Sequence, residues 1–313
     1  MVDYLASLAV FAGLYALLGL GLNLVWGLGG MVNLGLAGFF AIGAYASALA
    51  SLRLGLPLPE AALFAMVLSA AAGALLAVVT AQLRGDYLAI VTLGFAEVIQ
   101  LIAANEIWLT NGTDGLSAIP APGRGTLSPL GFDLASAGIV WGVAIVAAAA
   151  LGRLAGAPYG RVLRAIREDE MVARVAGKRV LAFKISAFAA GAAVMGLAGS
   201  LFAAYDGYVA PDSFDVLVTL LVVLALTAGG VGRMQGALVG AVLVVALTEG
   251  TRFLGLLLPG LSALQVASLR QGAIGLFLLL LLRLRPQGLL PERLRVHPID
   301  RVHPIDREEV KTR

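Results

Sequence analysis

Few side chains in this sequence can carry chemistry, and the most conspicuous are two carboxylates set inside apolar runs. Glu97 lies in Leu93-Gly94-Phe95-Ala96-Glu97-Val98 and Glu249 in Leu247-Thr248-Glu249-Gly250. An acidic group at the centre of a bilayer costs about 3 kcal/mol on insertion scales, so neither is expected to face lipid. A titrating membrane carboxylate is also what an ion-coupled transporter needs. For Glu249 the residues offer a simpler partner, Arg252, three positions on along a helix. For Glu97 they offer Gln100 one turn on, a group across the bundle, or a place on a transport path. Phosphate chemistry finds no purchase. The only Gly-Lys pair, Gly177-Lys178, is followed by Arg179, so the Gly-x-x-x-x-Gly-Lys-Ser/Thr loop is missing and the chain has no ATPase site of that kind. Cysteine is absent, which removes disulfides, thiolate metal sites and a cysteine nucleophile. Both histidines, His297 and His303, fall in a tandem hexapeptide, Arg295–Asp300 repeated as Arg301–Asp306, each just before a proline in a charged tail with no core. That setting points away from a metal site and leaves a tail with no function of its own, or one loosely attracted to anionic lipid through its arginines.

The one strongly charged block in the body of the chain runs from Pro158 to Lys184. From Arg161 to Ala176 its apolar residues, Val162, Ala165, Ile166, Val172, Ala173 and Ala176, recur near helical spacing, which predicts a short amphipathic helix. Pro158 suits its first turn, and Gly177 suits a C-terminal cap with positive φ. Ala165 and Ile166 form a small apolar face flanked by Arg164, Arg167, Glu168 and Asp169, a knob fitted to a groove on a soluble partner. The alternative is a plain loop whose charges only set orientation.

The elements that must position these groups are membrane spans. Hydrophobic residues make up 60% of the 313 positions and charged ones 13%, about half the charged fraction of a soluble domain. The fold class is an all-α polytopic integral membrane protein. With about 20 apolar residues per crossing, helices are expected near 4–27, 34–52, 60–83, 87–104, 135–154, 181–204, 215–232, 236–257 and 266–283, so nine, or ten with a re-entrant or broken segment. The N-terminus lacks the basic n-region of a cleaved signal peptide, so the first span is expected to stay. This gives a transmembrane domain over 1–285, holding an outer loop at 105–135 and a coupling segment at 158–184, and a basic, disordered tail over 286–313. Of the 22 Lys and Arg, eighteen fall on the side of the charged block and four (Arg53, Arg124, Arg252 and Arg270) on the other. The positive-inside rule then places the block and the C-terminus in the cytoplasm.

Glycine punctuates two of these spans. Five glycines fall between Gly27 and Gly38, with Gly29, Gly30, Gly35 and Gly38 around Asn33; a second cluster includes Gly229, Gly230 and Gly232. Each glycine costs a helix up to about 1 kcal/mol relative to alanine. Irregular backbone at membrane depth persists only when buried in protein or lining a cavity, so these read as broken helices beside a path, or else as close helix packing through small residues. Uncovered backbone at Gly29, Gly30 and Asn33 would give a solute weak polar contacts. In the outer loop, Asn111-Gly112-Thr113-Asp114-Gly115 is rich in tight-turn residues; it is either a self-packed cap or a docking surface, which the segment Asp206–Asp215 would share.

Five stretches together carry a resemblance: Gly19–Tyr45, Arg84–Ile102, Thr110–Pro120, Gly160–Gly177 and Ala228–Ala241. In this order they look like the LivM-type permeases of branched-chain amino acid ABC importers, and the likeness covers most of residues 15–250. The resemblance implies an ABC importer permease fold in the bacterial inner membrane. Implied partners are a second homologous permease of LivH type, two cytoplasmic ATPase subunits that hydrolyse the ATP, an extracytoplasmic solute-binding protein, and membrane lipid, with no nucleic acid and no cofactor on this chain. By the same resemblance Gly160, Arg161, Leu163, Arg164, Ala165, Ile166, Arg167, Glu168, Asp169 and Gly177 belong to the segment that contacts an ATPase. The path would run past Gly29, Gly30, Asn33, Gly35, Gly38, Glu97, Gly229 and Gly230, and Thr113, Asp114 and Gly115 would meet the binding protein. Two positions depart from the pattern: Leu36 stands where many relatives carry histidine, and Asn111 where they carry glycine. Urea-type ABC permeases are close cousins, so the solute can differ on one fold.

Overall fold

The computed structural model describes residues 2–83 and 85–250, scattered positions between 265 and 283, residue 285, and residues 287–291. Among the described residues up to 250, eleven α-helices are set out in order: α1 Val2–Leu22, continued by a π-helical turn at Asn23–Leu28, then α2 Leu36–Leu54, α3 Leu58–Val79, α4 Gly85–Asn105, α5 Ile107–Thr110, α6 Pro129–Gly156, α7 Pro158–Glu168, α8 Glu170–Val175, α9 Val180–Asp206, α10 Val216–Gly229 and α11 Met234–Gly250. Seven helices among the described residues are long and apolar enough to cross a membrane, and α11 is a shorter apolar one. The expected ninth span, 266–283, lies largely outside the described residues, as do Arg252 and the histidine repeat.

Glycine sets how closely the spans approach. A Cβ on Gly43 of α2 would overlap the Gly196 backbone of α9, and one on Gly73 of α3 would come within 2.8 Å of the Phe188 carbonyl oxygen. The α2, α3 and α9 backbones therefore pack as closely as small residues allow. Inside, Leu14, Leu17, Leu18, Leu24, Phe39 and Met195 are fully enclosed. The outward faces of α3, α4 and α6 stay apolar: Val67, Ile90, Leu101 and Val146 are all more than half exposed, as a lipid-facing surface requires.

Opposite the charged block, the outer loop is a hydrogen-bonded cap. Asn111 takes a left-handed conformation (φ 64°), and its Nδ2 donates to the Gly115 carbonyl at 3.0 Å. Strand β1 (Leu116–Ser117) pairs antiparallel with β2 (Tyr208–Val209), so 105–135 and 206–215 do share one surface. Arg124 donates to the carbonyls of Ala204 and Tyr205 and lies over the Phe132 ring. Thr113 and Asp114 stand exposed at the tip, whereas Gly115 is buried against Val209. Because Ser128 caps α6 and Pro129 opens it, the loop ends at 128 rather than 135.

Candidate functional site at the basic end of the bundle

The charged block folds as two helices where one was expected. Asp169 breaks it: its backbone is extended (φ −151°, ψ 110°), and its Oδ1 accepts from the backbone N–H groups of Met171 and Val172 at 2.7 and 3.1 Å. That is N-cap chemistry, which a short acidic side chain performs better than helix interior geometry. Gly177 closes α8 with φ +76°. The segment ends at Arg179, because α9 begins at Val180 and takes in Lys184.

The apolar knob is also corrected. Ile166 is only 5% exposed and packs with Ala173 and Val180, and Leu163 is fully buried in the main core, because α7 turns its apolar stripe onto the bundle. Gly160 lies against Ala155, where a side chain has no room. The free surface is instead a groove of about 470 Å³ between α7 and α8, lined by Arg161, Val162, Ala165, Glu168, Asp169 and Val172 among others. Beside it Met171, Val172 and Val175 are 57%, 64% and 82% exposed. Burial lifts the Tyr159 phenol above its ordinary value, partly offset by the Ser186 hydroxyl it meets at 2.8 Å, so this hydroxyl stays neutral where α7 joins α9.

Glu170 anchors α8. Its two oxygens receive Lys184 Nζ at 2.8 Å and Arg174 at 3.0 Å, and the Lys184 and Glu170 side chains are 9% and 11% exposed. Removing one member of so buried a pair leaves an uncompensated charge and typically costs about 3 kcal/mol or more. Glu170→Ala is expected to lower the thermal midpoint of the purified protein by several degrees, and Glu170→Gln by less. An unchanged midpoint in Glu170→Ala would mean that Lys184 is solvated without its partner.

The first break lies directly beside α7. After the π-helical turn, residues 29–35 are irregular, and all but Gly30, Val32 and Leu34 are buried. The Leu34 N–H donates to Thr92 Oγ1 at 2.9 Å and the Ala37 N–H to Thr219 Oγ1 at 3.2 Å. Thr92 is about 10 Å along α4 at 1.5 Å per residue, so the irregular chain reaches well into the bundle. The Oδ1 of Asn33 accepts from the Gly35 N–H at 2.9 Å, while its Nδ2 is buried without a partner among the described residues. Gly38 is not part of the break. It sits in α2, where a Cβ would come within 3.0 Å of Ala96 Cα, so the glycine cluster divides into an irregular stretch at 29–35 and close helix packing at Gly38.

Arg167 joins the two elements. Its Nη1 donates to the Gly27 carbonyl at the end of the π-helical turn, and its Cγ occupies the space a Cβ on Gly30 (φ +68°) would need, 2.5 Å away. Arg164 turns back to the Ala155 carbonyl at 2.6 Å. The second break, 230–233, packs on the π-helical turn that precedes the first: the Gly232 N–H donates to Asn23 Oδ1 at 2.8 Å. Residues 287–291, expected to be disordered tail, cover the second break. The N–H groups of Leu289 and Leu290 cap the Ala228 and Gly229 carbonyls at 2.8 and 2.9 Å. Asn23, buried in an apolar helix, was not singled out in the sequence, although a buried amide there was itself a signal.

The two carboxylates separate. Glu249 accepts from the Tyr4 hydroxyl of α1, a partner 245 positions away, while Arg252 is outside the described residues. Glu97 is half-buried on α4, and Gln100 turns to the Pro211 carbonyl at 3.2 Å.

An apolar bundle with two interrupted helices, joined at one end to an amphipathic pair of short helices, defines a multi-pass transport permease subunit. The family model for the permease component of branched-chain amino acid transport systems matches residues 4–282, and the chain belongs to that family. It is 36% identical over 310 residues to the high-affinity branched-chain amino acid transport system permease protein LivM of Salmonella typhimurium LT2, and 35% identical to that of Escherichia coli K12, in both cases over 91% of this chain and 69% of the relative. A probable branched-chain amino acid transport permease protein LivM of Methanocaldococcus jannaschii is 27% identical, over 93% of this chain and 94% of the relative. No solved structure matches the chain.

Proposed function

We propose that this chain forms half of the translocation path of an ATP-driven importer for branched-chain amino acids in a bacterial inner membrane, with its C-terminus cytoplasmic. A second homologous permease supplies the other half, two ABC ATPase subunits hydrolyse the ATP, and an extracytoplasmic solute-binding protein delivers the solute to the cap around Thr113 and Asp114. The observation that carries this reading is the bond between Arg167 and the Gly27 carbonyl, because it ties a water-facing docking element to the backbone break that enters the bundle. The ATPase is received by the exposed side of that element, Arg161, Ala165, Glu168, Met171 and Val172, over the groove between the two short helices. The path passes Gly30, the exposed residue of the first break, and Glu97; Asn33, Gly35, Gly229 and Gly230 are buried in this conformation and become uncovered as the breaks move.

Vesicles holding the full complex are expected to accumulate leucine, isoleucine or valine only with ATP and binding protein, with excess urea failing to compete. Uptake by this chain alone, driven by a proton gradient, would replace the reading with ion-coupled transport through Glu97. Orientation has its own check: a reporter fused after Arg174 is expected to be cytoplasmic and one within 112–123 extracytoplasmic, and the reverse pattern refutes the charge argument.

A further inference from the structure

The two breaks and α7 are joined by polar groups that the docking surface does not use. At the end of the π-helical turn, Asn23–Leu28, the Val25 and Trp26 carbonyls accept from the backbone N–H groups of Met31 and Gly30, and a cation at the next carbonyl, that of Gly27, meets both an acceptor and the negative end of the helix dipole. Arg167 does this for Gly27 from a different element, 140 positions away. Four residues earlier, Asn23 is fully buried and bridges to the second break, accepting from the Gly232 N–H at 2.8 Å and directing Nδ2 at Met234 Sδ, 3.6 Å away. Gly27 must be glycine between them, since a Cβ there would collide with Asn23 Oδ1. The chain of contacts is thus unbroken from α7 through the last turn of α1 to the loop before α11.

We propose that Arg167 and Asn23 are positioning residues of a serial relay, through which a displacement of α7 moves both glycine-rich breaks as one unit. The proposal rests on the importer reading for the source of the displacement, but the linkage between the breaks is a property of this chain alone. The bonds that carry the relay are made to the chain's own backbone, from Arg167 to the Gly27 carbonyl and from the Gly232 N–H to Asn23. A shift of α7 along its axis pulls the Gly27 carbonyl, and the same turn holds Asn23 against Gly232, so the π-helical turn that leads into the first break and the 230–233 loop move together while both bonds persist.

Hydrogen–deuterium exchange on the purified permease tests the linkage without partners. Arg167→Ala is expected to speed exchange about tenfold in peptides covering both 23–30 and 229–234, and Arg167→Lys, which still offers a donor, is expected to restore most of the protection. Faster exchange confined to 23–30, or no change, overturns the relay. In the full complex, Arg167→Ala and Asn23→Ala are each expected to cut uptake at least tenfold while ATP is still hydrolysed, and the double variant is expected to be no worse than the more damaged single one. Losses that multiply in the double variant mark two independent sites and refute the series. Should Asn23→Ala fail to fold, the exchange pattern of Arg167→Ala decides alone. A wild-type chain that binds no ATPase refutes the importer reading and leaves the exchange result standing.

Discussion

Val172→Asp is expected to abolish binding of the ATPase subunits and all ATP-driven uptake, while the permease inserts and melts as the wild type does. Val172 is 64% exposed at the edge of the groove between α7 and α8, with Met171 and Val175 beside it, so the bundle loses no packing when it changes. A carboxylate forced into an apolar contact without a partner costs a few kcal/mol, enough to remove a central contact of an interface. Ile166→Asp makes the contrast. At 5% exposure against Ala173 and Val180, the new charge is buried in the chain's own core, so the thermal midpoint is expected to fall together with ATPase binding. Co-purification of the ATPases and melting curves on the two variants separate the effects. Full ATPase binding by Val172→Asp moves the interface off this groove.

What the sequence shows of this molecule follows from which forces are local. The span positions were legible because apolar length is a property of consecutive residues: the expected 87–104 and 181–204 became 85–105 and 180–206. The first break was legible because glycine density weakens a helix wherever it folds. The split at Asp169 also had a local signal, an acidic cap residue followed by Glu170, but the apolar spacing on either side outweighed it in a periodicity argument. The direction of the apolar face could not be read the same way. An amphipathic stripe at Ile166 packs equally well against a partner or against its own bundle, and only the position of α9 decides between them. The long-range bonds were invisible for the same reason. Arg167 to Gly27 and Tyr4 to Glu249 each depend on how helices distant in sequence are stacked, and nothing in the residues near Arg167 distinguishes a rim charge from a helix cap.

Gly30→Leu is expected to remove uptake almost completely while leaving ATPase binding near the wild-type level. Two physical terms act at this position. Its φ of +68° lies in the left-handed region, where an L side chain costs roughly 1–2 kcal/mol. The space for that side chain is already held by Arg167, whose Cγ and Cβ lie 2.5 and 3.0 Å from the Cβ position. A leucine must therefore push Arg167 off the Gly27 carbonyl or pull the first break away from α7. Neither movement disturbs the exposed edge of the groove at Val172, so docking survives while its consequence is lost. Gly55, with a similar φ of +65° and open space around it, is the control: Gly55→Leu has the same backbone strain without the collision and is expected to keep most uptake. ATP hydrolysis and uptake measured on the same vesicles give the coupling ratio for each variant. If Gly30→Leu and Gly55→Leu transport equally well, the contact between α7 and the break has no part in coupling.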